Sequence, residues 1–199
     1  MRRKTFDVLA TIAGFVLAGV LLVAGGLLLW GHNFVTDQVH TQLAAQKIYF
    51  PPAGSPELKA LPSADAKAMS AYAGQQLVTG QQAQVWADHF IAVHLKEIGA
   101  GKTYAQLSAA SLANPKNAAL AAQVQTVFRG ETLRGLLLNA YAFGTIAQVM
   151  FIGAIVSLVA AGLMLILSFF GIAHLRHVPA EAEIFSKRTA TTHRPATAH

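Results

Sequence analysis

Cysteine is absent from all 199 residues. That removes disulfides, thiolate nucleophiles, zinc ribbons and iron–sulfur clusters from consideration. Charge is scarce too, with Asp, Glu, Lys and Arg making up 12% of the chain, and it is unevenly placed. None of these four residue types occurs between Asp7 and Asp37, and none from Gly135 through Leu175. No strand pattern and no internal repeat is visible, which leaves helices as the material of the fold.

What is present is apolar sequence in long runs. A helix of about 20 apolar residues crosses a hydrocarbon layer of about 30 Å. The runs therefore predict an all-α membrane protein in which two transmembrane helices form an antiparallel hairpin and carry a small extracytoplasmic helical bundle. The expected segments are a cytoplasmic N-terminus over 1–7, spans over 8–30 and 149–172, an outer domain with helical stalks over 31–148, and a cytoplasmic tail over 173–199. The tail is polar and rich in Thr and Ala, and its composition predicts disorder. The overall mean hydropathy of +0.44 is concentrated in the two runs.

The net charge of +6 and isoelectric point near 9.8 do not point to nucleic acid. The basic residues are neither gathered on one helix face nor interleaved with stacking aromatics. They flank the apolar runs instead. Arg2, Arg3 and Lys4 precede the first, and Arg176, Lys187, Arg188 and Arg194 follow the second, while residues 31–46 contain no Lys or Arg. Cationic flanks are retained in the cytoplasm, so the pattern predicts a two-pass plasma-membrane protein with both termini inside. The basic start also resembles a secretory signal, but Val8–Trp30 exceeds the roughly 7–15 apolar residues of a signal core, which predicts an uncleaved anchor.

Lipid supplies no hydrophobic drive for helix association, so small residues that let backbones approach become the natural contacts. The first run offers Ala10, Gly14 and Ala18 at four-residue spacing, with Gly19 and Gly26 on a neighbouring stripe. The second offers Gly153, Ser157 and Ala161. Matching depth in an antiparallel pair predicts Gly19 and Gly26 against Gly153 and Ser157. The Ala10–Ala18 stripe is then left for another copy or another membrane protein.

In the middle segment, Val35, Val39 and Leu43 extend the first helix outward. Pro51, Pro52, Pro56 and Pro62 forbid regular structure over 50–62, apart from a short turn at Ser55-Pro56-Glu57. Ser63 reads as the cap of a helical stretch over 64–98, with Gly74 and Gly80 as breaks and Gly99 and Gly101 as its stop. Thr103-Tyr104-Ala105-Gln106 is a capping box for a short helix ending near Leu112. Asn114 followed by Pro115 predicts the start of the last long helix, with bends at Gly130 and Gly135.

Chemistry has few carriers. His94 and Glu97 share a helix face and, with His89, form a candidate metal set. His89 stands about 140° from His94 around a regular helix, so completion would need Glu131 or His40 from elsewhere. An amphipathic helix burying Phe90, Ile91 and Leu95 explains the same residues without a metal. Arg129 and Arg134 are candidates for a carboxylate, phosphate or lipid headgroup, against a plainer role for Arg134 in pairing with Glu131. Gly99-Ala100-Gly101-Lys102-Thr103 lacks the first glycine of a phosphate-binding loop, since position 96 is Lys. Asn139 and Gln148 are expected to bond to helix neighbours. Spacing shows no catalytic residues, and no cofactor is expected.

The stretches Tyr72-Ala73-Gly74-Gln75-Gln76-Leu77, Ala87-Asp88-His89-Phe90-Ile91, Gly101-Lys102-Thr103-Tyr104 and Phe128-Arg129-Gly130-Glu131-Thr132-Leu133-Arg134-Gly135 resemble a family of two-span membrane proteins of actinobacteria. The resemblance covers most of residues 6–178 and implies a cell-envelope setting. Members are sometimes labelled aromatic-ring-opening dioxygenases, yet the residues here do not present a two-histidine, one-carboxylate iron site. The expected function is that of a non-enzymatic accessory or interaction subunit, with the lipid bilayer and a second copy or another membrane protein as partners. A ligand-sensing module signalling through a partner is the first alternative, and a metal-dependent enzyme the second.

The cysteine-free background makes the predicted topology directly testable. A membrane-impermeant maleimide should label the Ser55→Cys variant in intact cells and the Ser186→Cys variant only after permeabilisation. Labelling of both in intact cells would contradict the orientation.

Overall fold

The computed structural model describes residues 3–177; the expected disorder over 178–199 lies outside them. Every regular element among the described residues is helical, and the one strand-like feature is an isolated antiparallel bridge between Tyr49 and Gln76. The helices are α1 (Arg3–Ala45), α2 (Pro56–Ala60), α3 (Ser63–Ser70), α4 (Gly80–Trp86), α5 (Ala92–Ile98), α6 (Tyr104–Ala113) and α7 (Ala118–Leu175), with a π-helical turn, Ala87–Ile91, joining α4 to α5. Helices α1 and α7 are both long and apolar enough to cross a membrane. The chain divides into two compact units, residues 1–27 with 154–199, and residues 28–153.

In the first unit α1 and α7 approach each other through small residues. A methyl group on Gly171 would lie 2.6 Å from Thr11 Oγ1, and one on Gly25 would lie 2.8 Å from Leu158 Cδ2. A methyl on Gly14 would collide with the Ser168 hydroxyl. Phe15 and Phe169 meet edge to face at 5.4 Å. The facing stripes differ from the expected ones. Gly14 and Ala18 point at α7, while Gly19 and Gly26 have open space beside them. Ala10 is exposed. On α7 in this unit the buried small residues are Ala154, Ala161 and Ser168, each seven residues after the last. A seven-residue repeat keeps one seam facing a partner over many turns, whereas a four-residue repeat drifts around the helix. Gly153, in the second unit, lies beside Leu28, whose Cδ1 would be 3.3 Å from a methyl there.

The second unit has a core of Leu43, Phe50, Leu58, Leu61, Met69 and Leu77 with neighbours from α4 and α7. Phe50 is 1% exposed, and the chain around it is pinned by three backbone bonds. Phe50 N–H donates to Gln75 O at 2.9 Å, Gly74 N–H to Phe50 O at 3.2 Å and Leu77 N–H to Ile48 O at 2.9 Å. Gln76 closes the end of α1 by donating from Nε2 to Ala44 O at 2.8 Å. Gly74 holds φ +73°, a left-handed turn that ends the expected 64–98 helix early; Gly80 opens α4 instead of breaking a longer helix.

Caps explain the remaining boundaries. The Ser55 hydroxyl receives Leu58 N–H at the start of α2. Its first turn holds the Glu57 carboxyl below its ordinary value, through its backbone hydrogen bond and then the Ser55 hydroxyl. Thr103 and Gln106 form the expected capping box. Thr79 and Gln82 form a second one with the same T-x-x-Q spacing. Ser63 is not a cap; it is the first residue of α3, with Pro62 before it. Asn114 ends α6, and Asn117 starts α7 by accepting Leu120 N–H at 3.0 Å. Helix α7 runs unbroken through Gly130 and Gly135. Gly130 serves close packing, because the Leu95 side chain occupies the place of its missing Cβ.

At Gly80 a Cβ would meet the backbone of α7, 3.0 Å from Ala140 O and 3.1 Å from Tyr141 Cα. Backbone cannot step aside as a side chain can, so Gly80→Val should destabilise the protein by about 1–3 kcal/mol. Gly135 has no neighbour at that distance, and Gly135→Ala should be neutral or stabilising by up to about 1 kcal/mol. Denaturation monitored by circular dichroism in detergent measures both.

Candidate functional site

A cleft of about 740 Å³ opens in the second unit. One wall is the C-terminal part of α1, with Phe34, Val35, Val39 and Leu43. The opposite wall is α7, with Leu133, Leu136, Leu137, Ala140 and Phe143. Ile48 and the side chains of Trp86 and Ile91 complete it. Among the described residues its strongly polar lining is four carboxamides: Gln38 and Gln42 on α1, Gln46 in the turn just after α1, and Asn139 on α7. No Asp, Glu, Lys, Arg or His among the described residues contributes. Gln38 and Gln42, four residues apart, share one stripe of α1. Gln42 Nε2 donates to Gln38 Oε1 at 3.4 Å.

The π turn positions the deep wall. Trp86 and Ile91 are five residues apart, which on a regular α-helix would set them about 140° apart. Across the π turn Ala92 N–H donates to Ala87 O, a five-residue step that brings both side chains onto the cleft. Trp86 is held by a run of rings: Tyr72 to Phe50 at 5.3 Å, Phe50 to Trp86 at 5.1 Å, Trp86 to Phe90 at 4.7 Å and Phe90 to His94 at 4.4 Å. Beneath it, Gln82 is 5% exposed and fully engaged. Its Oε1 accepts from Val78 N–H at 2.8 Å and Thr79 N–H at 3.0 Å, while Nε2 donates to Gln75 Oε1 at 3.1 Å.

The same turn sends its charged side chains elsewhere. Asp88 Oδ1 accepts from Arg134 Nη2 at 3.0 Å, and Arg134 Nη1 also lies 3.6 Å from Glu131. His89 Nδ1 stands 2.7 Å from Asp65 Oδ1 on α3. His94 Nδ1 donates to Phe90 O at 2.7 Å. His89, His94 and Glu97 are thus not brought together, and neither Glu131 nor His40 joins them. No three His, Asp or Glu side chains form a metal-holding group among the described residues. Arg134 is committed to Asp88, while Arg129 is exposed and has no ion pair among the described residues. The two arginines do not form a joint anion site.

Two smaller concavities lie elsewhere. In the first unit, about 230 Å³ is lined by Asp7, Thr11, Gly14, Ser168 and His174 among others, and Asp7 Oδ2 is buried there without a partner. In the second unit, about 190 Å³ lies beside His32, His40, Thr79 and Gln148. His32 Nδ1 donates to Ala147 O at 2.8 Å. Asn139 and Gln148 line cavities and make no hydrogen bond to a helix neighbour among the described residues. Comparison with protein-family models, curated proteins and solved structures finds no match.

Arg134 and Asp88 are each about one-third exposed, so water screens their attraction. A double-mutant cycle with Asp88→Ala and Arg134→Ala should return a coupling of about 0.5–1 kcal/mol in unfolding free energy. A coupling indistinguishable from zero would show that the π turn is held without this pair.

Proposed function

We propose that the chain is a two-pass membrane protein whose apolar helices form an antiparallel hairpin, and that its helical domain over 31–148 binds a small apolar molecule on the outer side. The cleft carries this reading. Its volume falls within the roughly 300–1,000 Å³ of small-molecule sites, and its lining is apolar with a few placed polar groups. The basic flanks of both apolar runs support the orientation. A bacterial cell-envelope setting is part of this proposal and draws on the resemblance at Phe128–Gly135 and its companion stretches.

A receptor or accessory binding role suits this geometry better than catalysis. The cleft contains no acid, base or nucleophile pair, only carboxamides, which position a ligand without transferring protons. The metal-enzyme alternative loses its ligands to Asp65 and to the Phe90 carbonyl. Association with a partner remains compatible with ligand binding.

Trp86 lines the cleft and the other tryptophan, Trp30, does not. In a Trp30→Phe background, in amphipol without free detergent, the uncharged fluorophore N-phenyl-1-naphthylamine should accept energy from Trp86 saturably. Either Val35→Phe or Ala140→Phe, each filling the cleft, should weaken this at least tenfold while preserving the circular dichroism spectrum. Non-saturable transfer, or transfer unchanged in both variants, would refute the binding site.

A further inference from the structure

We infer, on that reading of the cleft, that its ligand is a single-chain lipid with an uncharged, hydrogen-bonding head, taken directly from the outer face of the bilayer. Four observations converge on this occupant.

The first is access. Phe34 and Phe143 line the cleft yet are 52% and 56% exposed, so they form its rim. Trp30, 67% exposed, stacks on Phe34 at 5.6 Å with an interplanar angle of 15°. Trp30 closes the first apolar run, and amphipathic rings of this kind sit at the membrane interface. From Trp30 to Phe34 is one helical turn, about 6 Å along the axis. Phe143 precedes the second run at Val149 by under two turns. Between them, Ile146 is 49% and Val149 65% exposed. The apolar rim is therefore continuous with side chains that belong among lipid, and a chain can slide in without crossing water.

The second is charge. The lining carries no ionisable group. A charged head drawn into it would lose hydration with no counter-charge to replace it, a penalty of several kcal/mol. An uncharged head loses little.

The third is the amide row. Each carboxamide of Gln38, Gln42 and Gln46 both donates and accepts, and Asn139 adds another from the facing helix. Hydroxyl and ester oxygens suit such a row, because each finds either role within reach. All four residues are exposed, so a purely hydrocarbon ligand would leave these amides to water and make no use of the row.

The fourth is size. At about 30 Å³ per water-sized group, 740 Å³ accommodates about 25 non-hydrogen atoms. That matches one long acyl chain with a glycerol-sized head, and it is about half of what a two-chain lipid needs.

The test uses the full chain in phosphatidylcholine vesicles, with Trp30→Phe leaving Trp86 as the sole fluorophore. Bromine on an acyl chain quenches tryptophan only at contact. Dibromostearoyl monoacylglycerol should quench Trp86 saturably, and at least threefold more at equal mole fraction than the lysophosphatidylglycerol bearing the same brominated chain. Val35→Phe should abolish that quenching. The Gln38→Leu/Gln42→Leu pair should keep N-phenyl-1-naphthylamine binding but erase the preference for the neutral head. Equal quenching by both lipids would overturn the inference about the head. Absence of quenching by either lipid, with N-phenyl-1-naphthylamine still binding saturably in amphipol, would overturn the lipid source and leave the apolar site standing. Loss of both signals would remove the site and the inference together.

Discussion

The bond from the Ala92 amide to the Ala87 carbonyl is the contact on which the second unit depends. By closing over five residues where an α-helix closes over four, it offsets everything after it by most of a residue. Trp86 and Ile91 come onto one face and become a wall of the cleft. Asp88 is turned toward Arg134 and His89 toward Asp65, so the polar side chains of the segment are partnered by neighbouring helices and kept out of the apolar lining. In a regular helix at this point, one of these two arrangements would have to yield.

Close backbone approach is the second organising feature, and glycine is its instrument at two places. Gly80 brings the start of α4 against the backbone of α7, and Gly130 admits the Leu95 side chain. The aromatic run from Tyr72 to His94 then fixes the position of Trp86 from the other side. The wall of the cleft is rigid where rings stack. Its long, rotatable carboxamides lie along the end of α1 and the turn after it, so a preformed apolar slot is combined with an adaptable polar edge.

Much of the architecture was legible in the residues. The charge-free runs announced two long helices, Thr103–Gln106 announced a cap, and the prolines between 50 and 62 confined that stretch to one short turn at Pro56–Ala60. Thr79–Gln82 carried the same capping signal as Thr103–Gln106 and identified the true start of α4. Other features had no local signature. A π turn depends on which neighbours draw its side chains, here Arg134 from α7, 46 residues further along the chain. The cleft likewise needs Gln38 and Leu136 to be opposed, which is a tertiary fact. The α1–α7 seam of the first unit was written in the sequence as small residues seven apart, at 154, 161 and 168. The eye is caught instead by nearer four-residue spacings, which do not stay aligned over many turns.

The hydrogen bond from His32 to the Ala147 carbonyl has a consequence for the ring itself. A carbonyl oxygen only accepts, so the proton must reside on Nδ1, which fixes the tautomer of the neutral ring. Nε2 is then left as an acceptor. One imidazole thus ties the two long helices together through its N–H and gives the small cavity it helps to line an acceptor of its own.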